Sequence, residues 1–227
     1  MEYKDEVRRM LEKAKVFWLY SGEPRKNIPH ALLASGKHSD GYVNVGDAIK
    51  NDAETRWLFA KMLLETLKGV CEEKFDWVVG ADTSSTALAL DVAKLAGAGH
   101  IRMIKDVYDG KSHQVWSCDN ALSAGGGKIL HIEELITTAF SAIQVQKEIM
   151  FELSQNKKGA QFVSFLPVIV DRSDPDNRVS KVENSLVLPL LRLRIKNYNK
   201  DECPYCKAGS IAIKPKEGDN WARLVGS

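Results

Sequence analysis

The chain has 227 residues, a length that suits one domain with small extensions, and its 44% apolar content is enough for a real core. Its 32 basic and 30 acidic residues leave a formal net charge of +2, which gives no ground for general nucleic-acid binding or for attraction to a membrane surface. No stretch approaches the ~20 apolar residues of a membrane span, and the charged opening MEYKDEVRRM does not read as a secretory signal.

In KDEVRRMLEKAKVFWLY (4–20), Val7, Met10, Leu11, Ala14, Phe17 and Trp18 fall at helical spacing, which predicts an amphipathic helix ending near Gly22. EPRKNIPHALLASGKHSDGYVN follows, with prolines and glycines that mark loops and short strands. DAETRWLFAKMLLETLKGV predicts a second helix, with Asp52 as N-cap and Gly69 near its end. FDWVVGA predicts a buried strand, SSTALALDVAKLAGAG a third helix and IRMI a short strand. Residues 106–127 are polar and glycine-rich, and predict a long mobile loop that could include a β-hairpin. KILHIEE is the next strand, SAIQVQKEIMFELSQN the next helix and AQFVSFLPVIVDR a further strand. SLVLPLLRLRI is the last strand, and Pro189 suggests an edge position for it. Strands alternating with helices predict a mostly parallel α/β sheet with helices on both faces and ligands at the carboxyl ends of the strands.

The stretch GKILHIEELITTAFSA (127–142) carries the most chemistry. Glu133 and Glu134 follow the strand, and Thr137, Thr138 and Ser141 lead into a helix. Hydroxyls and backbone amides at a helix start suit an anion, and two carboxylates beside them suit ribose hydroxyls. Taken alone, the same residues also fit a solvated helix start with two exposed acids.

ILHIEELITTAFS resembles the phosphoribosyl-pyrophosphate (PRPP) motif of type I phosphoribosyltransferases, and further segments are similar to the orotate phosphoribosyltransferase family. LLASGKHSDGYVN (32–44) is similar to the family's base-side segment, and VVGADTSSTALALDVA (78–93) occupies the place of its pyrophosphate loop. IVDRS (169–173) looks like the strand end that meets orotate. CPYCKAGSIAIKPK (203–216) resembles a Cys-Pro-Leu-Cys tail found in one branch. These matches run in the family's order from about residue 30 to residue 216.

The resemblance implies a type I phosphoribosyltransferase fold with a small N-terminal hood. It divides into residues 1–50 as helix and hood, 51–200 as core and 201–227 as a Cys-containing tail. It also implies transfer of a phosphoribosyl group from PRPP to orotate, with Mg2+ arriving on PRPP. By the same resemblance, Glu133 and Glu134 would hold the ribose hydroxyls, while Thr137, Thr138 and Ser141 would take the 5′-phosphate. Lys105 would reach the pyrophosphate, and Lys111 and His113 would come from a lid. Ser35, Gly36 and Lys37 belong to the hood segment that closes on the base. Tyr42 would stack on the base and Arg172 would pair with the orotate carboxylate. Tyr42 could equally be core, and Arg172 could equally pair with Asp171, Asp174 or Asp176. A homodimer and a cytoplasmic setting are expected, with no nucleic acid or membrane partner. A phosphoribosyltransferase for another base, and a non-catalytic binding or regulatory protein on the same fold, are the rival readings.

Three departures stand against that pattern. Ala139 and Phe140 occupy the phosphate loop where the family has Gly-Gly, and glycine there permits positive φ and a close backbone approach. Asp82, Ser84 and Ser85 replace a glycine-rich pyrophosphate loop, with Asp82 adding negative charge near a polyanion. Ala34 falls where several members carry a lysine. Of the four cysteines, Cys203 and Cys206 form a Cys-x-x-Cys pair with no histidine near it in sequence. A reversible disulfide, or a zinc site shared across a dimer, would suit such a pair; the favoured expectation is a structural tail with no metal. Cys71 ends a helix and is expected to pack.

Overall fold

The computed structural model describes residues 3–117, 127–155 and 159–226. Helix α1 (Lys4–Lys13) buries Val7 and Leu11 along one face. It stops about two and a half turns before the predicted end near Gly22, because Lys15 takes φ +55° and swings the chain into strand β1 (Phe17–Leu19). Phe17 and Trp18, at helical spacing in the sequence, are buried from a strand instead. The hood continues through β2 (His30–Leu32), β3 (His38–Ser39) and β4 (Gly41–Val43), with β4 pairing antiparallel to β1. A short helix that the sequence reading missed, α2 (Val45–Asn51), leads into α3 (Ala53–Lys68). Asp52 caps α3 as expected, its carboxylate accepting from the N–H groups of Glu54 and Thr55, and Gly69 closes it. Cys71, just beyond, packs against the main core.

The core follows with β5 (Trp77–Val79), α4 (Ser84–Ala96), β6 (Gly99–Ile101), β7 (Met103–Tyr108), β8 (Lys111–Trp116), β9 (Gly127–His131) and β10 (Glu133–Ile136). After these come α5 (Phe140–Gln155), β11 (Ala160–Phe162), β12 (Phe165–Asp171), β13 (Lys181–Val182) and β14 (Ser185–Arg192). Strands β6, β5, β9 and β11 form one parallel sheet in that order. In the second sheet, β10, β12 and β14 run parallel and β13 adds an antiparallel edge. The chain passes from β9 to β10 through Ile132 alone, and from β11 to β12 through Val163 and Ser164, so the same two segments carry both sheets. Helices cover the resulting surface, and Phe59, Leu63, Leu88, Leu130 and Ile169 are among the side chains sealed between them. Strand β14 lies inside its sheet, but β13 pairs only with Ser185 and Leu186. Pro189 therefore has Val168 beside it on one side and no strand on the other, which is why the ring is tolerated.

In the polar stretch expected as a mobile loop that could include a hairpin, residues 106–116 form a hairpin. β7 and β8 pair from Met103↔Trp116 to Tyr108↔Lys111, and Asp109 and Gly110 both adopt positive φ at its tip. Residues 118–126, with Cys118, lie outside the described residues. The tail belongs to the hood: β15 (Asn197–Tyr198) pairs with β3, and after a short α6 (Pro204–Lys207), β16 (Ala212–Ile213) pairs with β2. A last helix, α7 (Asn220–Val225), packs Leu224 into a small hood cluster with Trp18, Ala31 and Ile213.

Candidate active site

Two acids open β10. Glu133 is almost fully buried, and its Oε1 lies 2.7 Å from His131 Nε2 and accepts the Ala81 N–H at 3.3 Å. The Gln146 amide donates to His131 Nδ1 at 3.3 Å, which leaves the ring proton on Nε2 for Glu133. Ser85 reaches both acids from the start of α4. Its hydroxyl lies 2.8 Å from Glu133 Oε2 and also against Glu134 Oε2, and it accepts the Glu134 N–H at 3.0 Å. One hydroxyl proton serves one carboxylate at a time. Burial above all, and then the Glu133 charge, raise the Glu134 pKa to about 7. Gly80 permits this approach, since a Cβ there would stand 2.7 Å from the Ser85 Cβ and carbonyl oxygen.

The neighbouring loop is held by Asp82, which the sequence marked only for its charge, and by Gln114, which it did not single out. Asp82 accepts from the Thr86 hydroxyl at 3.2 Å and from the Lys105 N–H at 3.0 Å, so its carboxylate braces the loop. The Gln114 amide makes a two-bond ring with the Asp82 backbone, accepting its N–H at 2.8 Å and donating to its carbonyl at 2.7 Å. That ring fastens the β7–β8 hairpin to the loop after β5. No sequence signal marks Gln114, which is buried between more exposed neighbours on β8.

Beyond Ile136, Thr137 is half-buried, Thr138 exposed and Ser141 exposed at the start of α5. Ala139 adopts φ +60°, and its methyl packs against a cluster that includes Ile136, Ala142 and Leu166. Phe140 is 60% exposed and forms part of the wall of a pocket of about 70 Å³ with Glu133, Thr137, Thr138 and Ser141. The Arg172 N–H donates to the Ile136 carbonyl at 2.8 Å, which sets the end of β12 beside this loop. Arg172 does not pair with its acidic neighbours. Asp171 is taken by Arg192 at 3.0 Å, by Arg178 at 3.5 Å and by Ser173, and Asp176 is taken by Lys196. The Arg172 Nε is buried and has no hydrogen-bond partner among the described residues. Burial lowers its pKa, and the Tyr42 phenol acts against that shift. Tyr42 itself sits edge-on to Trp221, 6.1 Å between centroids.

Contacts therefore run unbroken from Lys105 through Asp82 and the loop to Ser85, the acid pair, Ile136 and Arg172. The other expected residues stand apart. Ser35, Gly36 and Lys37 form an exposed turn between β2 and β3, with Gly36 at φ +79°. Lys111 is exposed near the hairpin tip, and His113 stacks on Tyr108 at 3.8 Å. Among the described residues, neither bonds to the acid pair.

No family model matches the chain. The orotate phosphoribosyltransferase of Caldanaerobacter subterraneus subsp. tengcongensis is 30% identical over 207 residues, covering 90% of this chain and 97% of that one. The chain belongs to the orotate phosphoribosyltransferase family. The enzyme of that name from a Thermoanaerobacter species matches at 30% over 206 residues, with the same coverage. Among solved structures, the orotate phosphoribosyltransferase of Aeropyrum pernix aligns with a TM-score of 0.55 at 18% identity, over 82% of this chain and 93% of that one. That of Mycobacterium tuberculosis, in complex with inorganic phosphate, aligns at 0.52 and 15% identity, over 83% and 96%. These likenesses show the type I phosphoribosyltransferase fold. Within this family the phosphate loop of the present chain is divergent in residue type. Ala139 nevertheless takes the left-handed conformation that glycine would adopt freely, and the Phe140 ring is turned largely to solvent.

Proposed function

We propose that the chain transfers the phosphoribosyl group of PRPP to orotate. The bond from ribose C1 to the pyrophosphate oxygen breaks, a bond from C1 to the pyrimidine nitrogen forms, and orotate gives up the proton on that nitrogen. The products are orotidine 5′-monophosphate and pyrophosphate. Positive charge grows on the ribose as the leaving group departs, so positioning and electrostatic stabilisation are the main task. Glu133, pinned by His131 and Ser85, and Glu134 beside it are the groups for the ribose hydroxyls. Thr137, Thr138 and Ser141 surround the pocket for the 5′-phosphate. Lys105 serves the pyrophosphate, and Lys111 and His113 act from the hairpin as a cover. Ser35, Gly36, Lys37 and Tyr42 belong to the base side.

The observation that carries the choice of base is Arg172. A buried guanidinium nitrogen with no partner suits an anionic ligand, and a planar carboxylate matches its fork. The acid pair also fits magnesium, since both side chains offer hard oxygens and a bound cation would offset the burial and the Glu133 charge that raise the Glu134 pKa. Glu134, with the PRPP oxygens, would hold the ion. When bound it neutralises charge on the departing pyrophosphate. We further propose a homodimer, supported by the exposed Val107 and Tyr108 on the hairpin, and a cytoplasmic setting. Among the described residues, no helix is long and apolar enough to cross a membrane.

Calorimetry of PRPP binding with magnesium, followed by turnover with orotate, tests this reading in the wild type, Arg172→Ala and Phe140→Gly. The wild type should bind PRPP and form orotidine monophosphate. Arg172→Ala should keep PRPP binding but lose on the order of 100-fold in kcat/KM for orotate, as expected for a lost charged hydrogen bond. A wild type that fails to bind PRPP, with binding restored in Phe140→Gly, would overturn the enzymatic reading in favour of a non-catalytic protein on the same fold.

A further inference from the structure

We propose that His30, His38, Cys203 and Cys206 form a structural zinc site that clamps the tail onto the hood. The two histidines and the two cysteines form pairs distant in sequence, Cys206 standing 168 positions after His38. The hood sheet brings them together because β15 and β16 of the tail flank the β2–β3 hairpin that carries both histidines. All four ligand atoms lie within 4.8 Å of one another.

The spacings suit a tetrahedron. Zinc bonds of about 2.3 Å to sulfur and about 2.05 Å to nitrogen imply edges of about 3.3 Å between nitrogens and about 3.5 Å from nitrogen to sulfur. His30 Nε2 lies 2.9 Å from His38 Nδ1, 3.5 Å from Cys203 Sγ and 3.7 Å from Cys206 Sγ, and Cys206 Sγ lies 3.2 Å from His38 Nδ1. Modest outward movement of the two rings would admit the ion. The cysteines are free thiols.

The surroundings orient the ligands. Ser210 Oγ donates its one proton to the Ile28 carbonyl at 2.6 Å, so the His30 Nδ1, 2.8 Å away, must carry a proton and donate it to Ser210. His30 Nε2 is then a bare lone pair aimed at the other three ligand atoms. A ligating histidine held through its second nitrogen in this way is the usual arrangement at zinc centres. Tyr205 stacks on the His30 ring at 5.3 Å, and His30, His38 and Cys203 are buried. Four protein ligands in a closed, apolar setting describe a structural site, which leaves no position for a substrate. The ion would lock the β2–β3 hairpin, whose turn is Ser35–Lys37, and would do so whether or not the chain is a transferase.

The test is metal content and cobalt spectroscopy on the full chain purified under reducing conditions. We expect about one zinc per chain by elemental analysis. Replacement by cobalt should give the intense visible bands of a tetrahedral ion and a thiolate-to-cobalt charge-transfer band. Cys206→Ser and His38→Ala should lose the bound metal, while Cys71→Ser should keep it. Cys206→His, which retains a zinc ligand, should recover zinc with a weaker charge-transfer band. Chelation should lower Tm by on the order of 10 °C, since metal affinity adds directly to folding stability. Zinc-grown chains without metal and without a tetrahedral cobalt spectrum would overturn the proposal, as would a Cys203–Cys206 disulfide in the reduced preparation. If the single variants fail to fold, the wild-type cobalt spectrum decides by itself.

Discussion

Glu134 is a site residue whose ionisation the fold has clearly shifted. Its side chain lies beside Glu133, and both look to the single proton of Ser85. Its pKa rises from 4.5 to about 7, through burial first and the Glu133 charge second. A carboxyl raised in this way favours folding below its unfolded pKa, and that contribution is lost as pH rises through about 7. Ligand binding runs the other way, because ribose hydroxyls and magnesium need the ionised form. Affinity for magnesium-PRPP should therefore increase between about pH 6 and 8, with the inflection moved upward in Ser85→Ala, which removes a hydrogen bond that favours the carboxylate. Calorimetry across that range on the wild type, Ser85→Ala and Glu134→Gln separates this from titration of PRPP itself. An unchanged pH profile in Glu134→Gln would sink the assignment. The sequence displayed the acid pair but not its state, since Ser85 meets it from 48 positions away. The same holds for the phosphate loop. Ala139 and Phe140 look disabling as letters, yet backbone conformation is set by the strand and helix on either side. The buried Ala139 methyl gives back apolar contact against the cost of its left-handed φ, each on the order of 1 kcal/mol.

At the scale of elements, periodicity located the strands and helices of the core and failed where two signals overlapped. Residues 17 and 18 continue the apolar stripe of α1 by spacing, but they are aromatics after a left-handed turn and pair with β4. The β7–β8 hairpin was obscured because most of its residues are exposed, so little apolar alternation survives; only the Asp109-Gly110 tip announces it. This hairpin reaches the site through one buried side chain. Gln114 satisfies both polar groups of the Asp82 peptide, and Asp82 in turn bonds Thr86 and Lys105. Gln114→Ala leaves a donor and an acceptor without partners, at a cost of about 1–3 kcal/mol. With the loop it braces taking the pyrophosphate, as proposed above, KM for PRPP should rise several-fold while KM for orotate stays near the wild-type value. Urea unfolding together with steady-state kinetics in both substrates checks this. An equal rise in both KM values would mean that the hairpin supports the whole site rather than that loop.

Across the whole molecule, the chain is stitched into two bodies of unequal depth. The parallel sheets and their helices hold the larger apolar clusters, and the most extensive of these also takes in Val16, Phe17 and Val43 from in and beside the hood's inner strands. The outer hood sheet, β15–β3–β2–β16, rests on a far smaller cluster around Trp18, Ala31, Ile213 and Leu224. Its strands are two or three residues long, and half of them come from the tail. Short strands with little apolar cover do not sustain themselves, so this sheet depends on contacts closed between the two ends of the chain. Sequence order hid that dependence: residues 203–216 follow the core as if appended, and the pairing of β16 with β2 and the stacking of Tyr205 on His30 make them part of the hood. Local opening follows the same division, because free energies of opening scale with the apolar contact that each cooperative unit buries. With any metal removed by chelator, the amides of His30–Leu32, His38–Ser39 and Ala212–Ile213 should exchange through one shared opening. Its free energy should lie several kcal/mol below that of α3 and β12, by the spread seen between sub-global and global opening. Native-state hydrogen exchange read by mass spectrometry resolves these segments. Hood amides that exchange only with global unfolding would show a single cooperative body. Exchange of β2 without β16 would show that the tail strand adds nothing to the hood.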